Sequence, residues 1–165
     1  MTVSILSIVG RSNSGKTTLL EKLVARLSAE GLRIATIKHS HHQPEMDTPG
    51  KDSWRHKQAG AEASLLVGPE RMLMVQDVEE DLNPRLLAER YFSDFDLLLV
   101  EGYASLPGDK IEVLRAERST QLRCQPGALL AVVTDLPCVQ AGLPQFGLDD
   151  IEGLSEFILH WIRHD

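Results

Sequence analysis

Gly10-Arg11-Ser12-Asn13-Ser14-Gly15-Lys16-Thr17 follows the β-branched, apolar run Val3 to Val9. It precedes a segment in which Leu19, Leu20, Leu23, Val24 and Leu27 share one helical face, closed by Gly31. The order of buried strand, glycine-rich turn and amphipathic helix decides the fold. The octet matches G-x-x-x-x-G-K-[ST], the Walker A phosphate loop (P-loop), without a mismatch. Its glycines let the backbone turn tightly and approach a phosphate with no Cβ in the way. Successive N–H groups form an anion-binding concavity. The helix opening near Lys16 aims its unpaired N–H groups and positive dipole end at the same place. Lys16 supplies a point charge to the outer phosphates, and the Thr17 hydroxyl is a hard oxygen ligand suited to Mg2+.

Outward from this loop, the pattern alternates. Leu32 to Lys38 reads as a strand, and His39 to Lys51 as a long loop. Asp52-Ser53 can cap a short helix running toward Ala59. Ala63 to Val67 and Met72 to Val75 flank Gly68-Pro69-Glu70-Arg71 as a β-hairpin. Asn83-Pro84 opens a helix through Tyr91. Leu97 to Val100, Ile111 to Leu114 and Leu129 to Thr134 read as strands, and Ile151, Leu154, Ile158 and Trp161 as one face of a C-terminal helix. Continuous apolar strands interleaved with helices predict an α/β fold. It is a three-layer P-loop NTPase arrangement with a mostly parallel sheet, helices on both faces and an added hairpin. With no internal repeat and no composition shift, a single domain over 1–165 is expected.

A phosphate loop needs an acid on a neighbouring strand to hold Mg2+. Asp96 enters its strand and falls at the wrong edge, whereas Glu101 leaves the same strand at the edge of the phosphate loop. Glu101 is the expected metal residue with Thr17, against the plain reading of a solvated carboxylate at a strand end. Asp135, after Val133-Thr134, can accept from the N1–H and 2-amino group of guanine, or serve as an ordinary turn aspartate; a full N-K-x-D signature is absent. His39, His41 and His42 invite a metal reading, but without a cysteine on an irregular loop they read better as exposed side chains or contacts to an anion. In the Gly50-Lys51-Asp52-Ser53 run, Asp52 can position water or Mg2+, or simply cap the helix.

Composition narrows the class. The 165 residues are 42% hydrophobic and 25% charged, with a net charge of −7. A negative chain of this size has no basic stripe for a nucleic-acid backbone. The longest apolar run, Ala128 to Val133, is too short to span a bilayer. MTVSILSIVGRS lacks the marks of a signal peptide, and Cys124 and Cys138 form no C-x-x-C. A cytoplasmic protein with two reduced thiols is expected.

The chain resembles the molybdopterin-guanine dinucleotide biosynthesis protein B (MobB) family of small GTP-binding proteins. The resemblance rests on GRSNSGKTTL (Gly10 to Leu19), TIKHSHH (Thr36 to His42), DTPGKDSWRHKQAGA (Asp47 to Ala61), LLLVEGY (Leu97 to Tyr103) and KIEVLR (Lys110 to Arg115). It implies a homodimeric adaptor that binds GTP and Mg2+, hydrolyses GTP slowly, and assists the guanylyltransferase joining GMP to molybdopterin. It also implies that Gly10, Arg11, Ser12, Asn13, Ser14, Gly15, Lys16, Thr17 and Thr18 hold the phosphates, with Thr17 and Glu101 at the metal. The segment from His39 to Arg55 would line a dimer cleft for a pterin phosphate. A small-molecule P-loop kinase is the alternative, with Arg115, Arg118 and Arg123 as a candidate lid; a metallochaperone using the histidine loop is a third reading. Arg11 is the nearest arginine in cis to the phosphates, and no glutamine stands in an obvious water-positioning place, which predicts slow turnover.

Overall fold

A computed structural model describes residues 3–40, 42, 48–79, 82–137 and 139–164. The chain divides into two compact units, residues 1–39 with 84–165, and residues 40–83. In sequence, the second unit is inserted in the first.

The sheet unit contains β1 (Ser4–Val9), α1 (Lys16–Ala29), β2 (Ile34–Lys38), α3 (Pro84–Tyr91), β5 (Leu97–Glu101), β6 (Asp109–Leu114), β7 (Ala131–Thr134), β8 (Gln145–Phe146) and α4 (Ile151–His164). The inserted unit contains α2 (Asp52–Gln58) and the antiparallel hairpin β3 (Ala63–Val67) and β4 (Met72–Gln76). The six sheet strands run in the order β2-β5-β1-β6-β7-β8, and every pairing is parallel. All strand C-termini therefore lie at one edge. β1 sits between β5 and β6, so the chain leaving it enters the crevice where ligands collect in such sheets.

Alternate residues face opposite sides. Leu6, Ile8, Leu97, Leu99, Ile111, Val113, Ala131 and Val133 pack on Leu19, Leu23 and Leu27 of α1 and on Leu154 and Ile158 of α4. The other parity, Ala35, Leu98 and Val100, packs on Ala88 of α3, with Phe92 and Phe95 against it. Helices thus cover both faces, as the apolar runs predict. Lys22 and Arg26 of α1 hold Asp149 at 2.8 Å and Glu152 at 2.7 Å, which fixes the start of α4 beside α1.

Some details differ from the sequence reading. β2 starts at Ile34 because the Arg33 amide donates to the Asp96 carboxylate (2.7 Å) instead of a ladder carbonyl. β7 starts at Ala131 because Pro126–Ala128 forms a 3-10 turn that uses Leu129 as its cap. β8 has two residues, too few to carry a pattern. In the inserted unit Lys51, not Asp52, caps α2, and no side chain caps it. Lys57 of α2 donates to the carbonyls of Ala61 (2.6 Å) and Glu62 (2.9 Å) and to Asp77 (2.6 Å), so its ammonium is satisfied three times and ties the helix to the hairpin.

Candidate functional site

The loop between β1 and α1 has the backbone its sequence calls for. Gly10 has φ 144°, and a Cβ there would lie 2.4 Å from the Val113 carbonyl oxygen, so only glycine lets β1 and β6 approach this closely. Asn13 is left-handed at φ 59°, a conformation asparagine tolerates best after glycine. Gly15 stands at the N-cap of α1 in the left-handed region, and no side chain caps the helix. The first-turn N–H groups of α1 therefore face the loop without a side-chain acceptor, the arrangement that receives a phosphate.

Lys16 folds back over this loop. Its ammonium donates to the Arg11 carbonyl at 2.7 Å and the Gly10 carbonyl at 3.2 Å. Burial holds its pKa below the usual lysine value; Glu101 opposes this, while Arg123 and Lys38 push the same way. These groups thus share one electrostatic neighbourhood. The Thr17 hydroxyl meets both oxygens of Glu101, at 3.0 and 2.9 Å, and Lys38 lies 3.8 Å from the same carboxylate. The fold brings together the two residues the sequence paired for a metal. A hydroxyl and a carboxylate are hard oxygen donors, and Mg2+ takes one or two of these with water and substrate phosphates filling the rest. The donor set fits that ion. No cluster of three or more histidine, cysteine or acidic residues occurs among the described residues. Asp96 lies at the opposite edge, as its position before β5 requires.

Glu101→Gln is expected to weaken the Mg2+-dependent part of nucleotide binding about tenfold, because the amide keeps the shape and loses the charge that answers the ion. A Mg2+ titration matching the parent's would remove the metal role from Glu101.

Two arginines that the sequence reading assigned to a lid stand at the loop instead. Arg123 reaches the Gly10 carbonyl at 3.5 Å. It is held there by Glu112 of β6, buried to 1% exposure, whose carboxylate accepts the amides of Arg123 (2.6 Å) and Cys124 (2.9 Å). Arg115 lies over Gly15 from the end of β6. Arg11, by contrast, is exposed. Sequence reasoning missed Glu112; its signal was a charge between Ile111 and Val113 in an otherwise apolar strand.

The other candidates are scattered. Asp135 leaves β7 at the same edge, and its carboxylate accepts the Ala116 amide at 2.7 Å. His39 follows β2, its ring 4.2 Å from that of Tyr103. His42 is exposed in the inserted unit, and His41 and Asp47 lie outside the described residues. Asp52, also in the inserted unit, is exposed, with Arg55 3.8 Å away. Cys124 is a free, half-buried thiol whose pKa burial raises; Cys138 lies outside the described residues.

The sequence profile of the family described as molybdopterin guanine dinucleotide synthesis protein B, MobB, matches residues 5–135. The chain belongs to the MobB family. It is similar to the molybdopterin-guanine dinucleotide biosynthesis adapter protein of Haemophilus influenzae, at 37% identity over 98% of this chain and 91% of that one. The Escherichia coli protein of the same description is 34% identical over 98% and 94% of the two chains. Among solved structures, Bacillus subtilis MobB superposes with a TM-score of 0.77 at 30% identity, covering 95% of this chain and 96% of that one. The MobB match includes the phosphate loop, Glu101, the KIEVLR strand and Asp135.

Proposed function

We propose that this protein is a cytoplasmic, GTP-binding adapter in the biosynthesis of molybdopterin guanine dinucleotide. In this reading it presents GTP and Mg2+ to the guanylyltransferase that attaches GMP to molybdopterin. The observation that carries the nucleotide part is the Walker A loop with Thr17 and Glu101 in contact at 2.9–3.0 Å. The pathway part comes from the family and from the relatives described as adapter proteins. Guanine is the base the pathway's product contains, which favours GTP over ATP.

In the proposed site, Gly10 to Thr18 cradle the phosphates, and Lys16 exchanges its two carbonyl partners for phosphate oxygens. Thr17 and Glu101 hold the metal, which offsets phosphate charge. Arg123 adds a cation beside the loop. The kinase alternative loses support, because its lid arginines are tied down. Glu112 holds the amide of Arg123, and Asp135 the amide after Arg115. A segment anchored to two strands does not open and close over a substrate.

Competition between GTP and ATP with Mg2+ present tests base choice, with GTP expected to win. On the protein alone, steady-state GTP turnover is expected below about one per second, under the usual enzyme range of about 1–10³ s⁻¹. Turnover inside that range without a partner would favour an autonomous enzyme.

A homodimer is part of the same proposal. Leu65, Leu66, Val67 and Met72 on the hairpin are 52%, 57%, 69% and 74% exposed. An apolar patch on short strands with open edges is a surface that proteins cover by association. Sedimentation at micromolar concentration should show a dimer; monomer alone would count against it.

A further inference from the structure

A cavity of about 90 Å³ opens beside the first turn of α1, lined by Ser14, Gly15, Thr18, Arg115 and Leu148 among others. Two of the residues that line it, Ser14 and Arg115, each carry a buried polar atom, Oγ and Nε, with no hydrogen-bond partner among the described residues. Ser14 is 1% exposed. Buried polar groups are nearly always paired, so an unpartnered guanidinium nitrogen on a residue that lines a cavity beside the helix N-terminus calls for a polar ligand. The Arg115 Nη2 lies 3.5 Å from where a Cβ on Gly15 would stand, so the guanidinium overhangs the glycine that caps α1. A planar guanidinium fork suits phosphate oxygens better than any other side chain does.

The backbone on both sides of Arg115 is pinned. Its carbonyl accepts the amides of Arg118 (2.8 Å) and Ser119 (3.0 Å). The next amide, Ala116, donates to Oδ1 of Asp135 at 2.7 Å. One oxygen of the Asp135 carboxylate is thus committed to the main chain beside Arg115.

We propose that Arg115 contacts the sugar–phosphate part of the nucleotide, and that Asp135 is a positioning residue for Arg115 rather than a reader of the base. This rests on the nucleotide-binding reading given above. The contact is indifferent to the base, so GTP, ATP and xanthosine triphosphate gain from it alike.

The test measures dissociation constants of those three nucleotides with Mg2+ by calorimetry. It uses the parent, R115A, R115K, D135A, D135N and the R115A/D135A double variant, each shown to be folded by its melting transition. R115A should weaken all three about ten- to a hundredfold, with R115K between it and the parent. D135A should weaken all three by a common, smaller factor that disappears in the R115A background. D135N should stay within about twofold of the parent, because the asparagine carbonyl still accepts the Ala116 amide. Parent-like binding by R115A would overturn the proposal. So would a D135N variant that loses GTP and gains xanthosine triphosphate, since an amide donor suits the 2-oxo group of xanthine and would place base reading at residue 135. An additive or absent D135A loss would remove the positioning role. A parent that bound none of the three would sink the nucleotide reading itself, a separate failure.

Discussion

Lys16→Ala should lower GTP affinity by about a hundredfold or more while the protein stays folded. A bound triphosphate brings several negative charges to the loop, and a hydrogen bond to a charged group contributes about 1.5–3 kcal/mol. Two such bonds to outer phosphate oxygens come to roughly 3–6 kcal/mol, which is at least a hundredfold in affinity. The folded protein loses far less. Lys16 makes two hydrogen bonds, both to carbonyls of its own loop, and alanine leaves no buried partner charge behind. A stability loss of about 1 kcal/mol would shift the melting temperature by only about 2–4 °C in a chain of this size. Calorimetry of GTP binding beside a thermal melt separates the two effects. A folded variant with parental affinity would remove the central functional claim.

Glu112→Ala should do the reverse and act mainly on the fold. Glu112 is 1% exposed, and its carboxylate is the acceptor for the amides of Arg123 and Cys124. Alanine leaves both amides without that acceptor, each costing about 1–3 kcal/mol. The sum, roughly 2–6 kcal/mol, is a large part of a typical stability of about 5–15 kcal/mol. The melting temperature should fall by about 5–20 °C, with Glu112→Gln in between because its carbonyl keeps one amide. Nucleotide affinity should also drop modestly, since the chain that carries Arg123 to Gly10 is released. Melting within a degree of the parent would show that these two bonds contribute nothing.

The elements that could be read from the chain were those with a local cause. The phosphate loop, α1, the hairpin, α3 and β5 each carry their own punctuation: a glycine run, a helical period, a Gly-Pro turn, an Asn-Pro start, an acid followed by glycine. The Thr17–Glu101 pairing followed from edge logic alone, because strands of one parallel sheet finish on one side. What could not be read depends on which segments meet. Nothing near Arg115 or Arg123 in sequence says that Asp135 and Glu112 grip the adjoining backbone. An acid in a strand announces burial or a site, not its partner. The TIKHSHH and DTPGKDSWRHKQAGA blocks carry the family resemblance, yet Lys57, within the second of them, proves to fasten a helix to a hairpin.

The inserted unit has a thermodynamic corollary. It occupies the connection between β2 and α3, so joining β2 to β5 closes a loop that contains all of it. The entropy of closing a flexible loop grows only with the logarithm of its length, about 0.6 kcal/mol for each doubling. The sheet therefore barely registers how long this excursion is. Lengthening, trimming or replacing residues 40–83 changes what the protein displays to others at little expense to the strands that carry the phosphate loop.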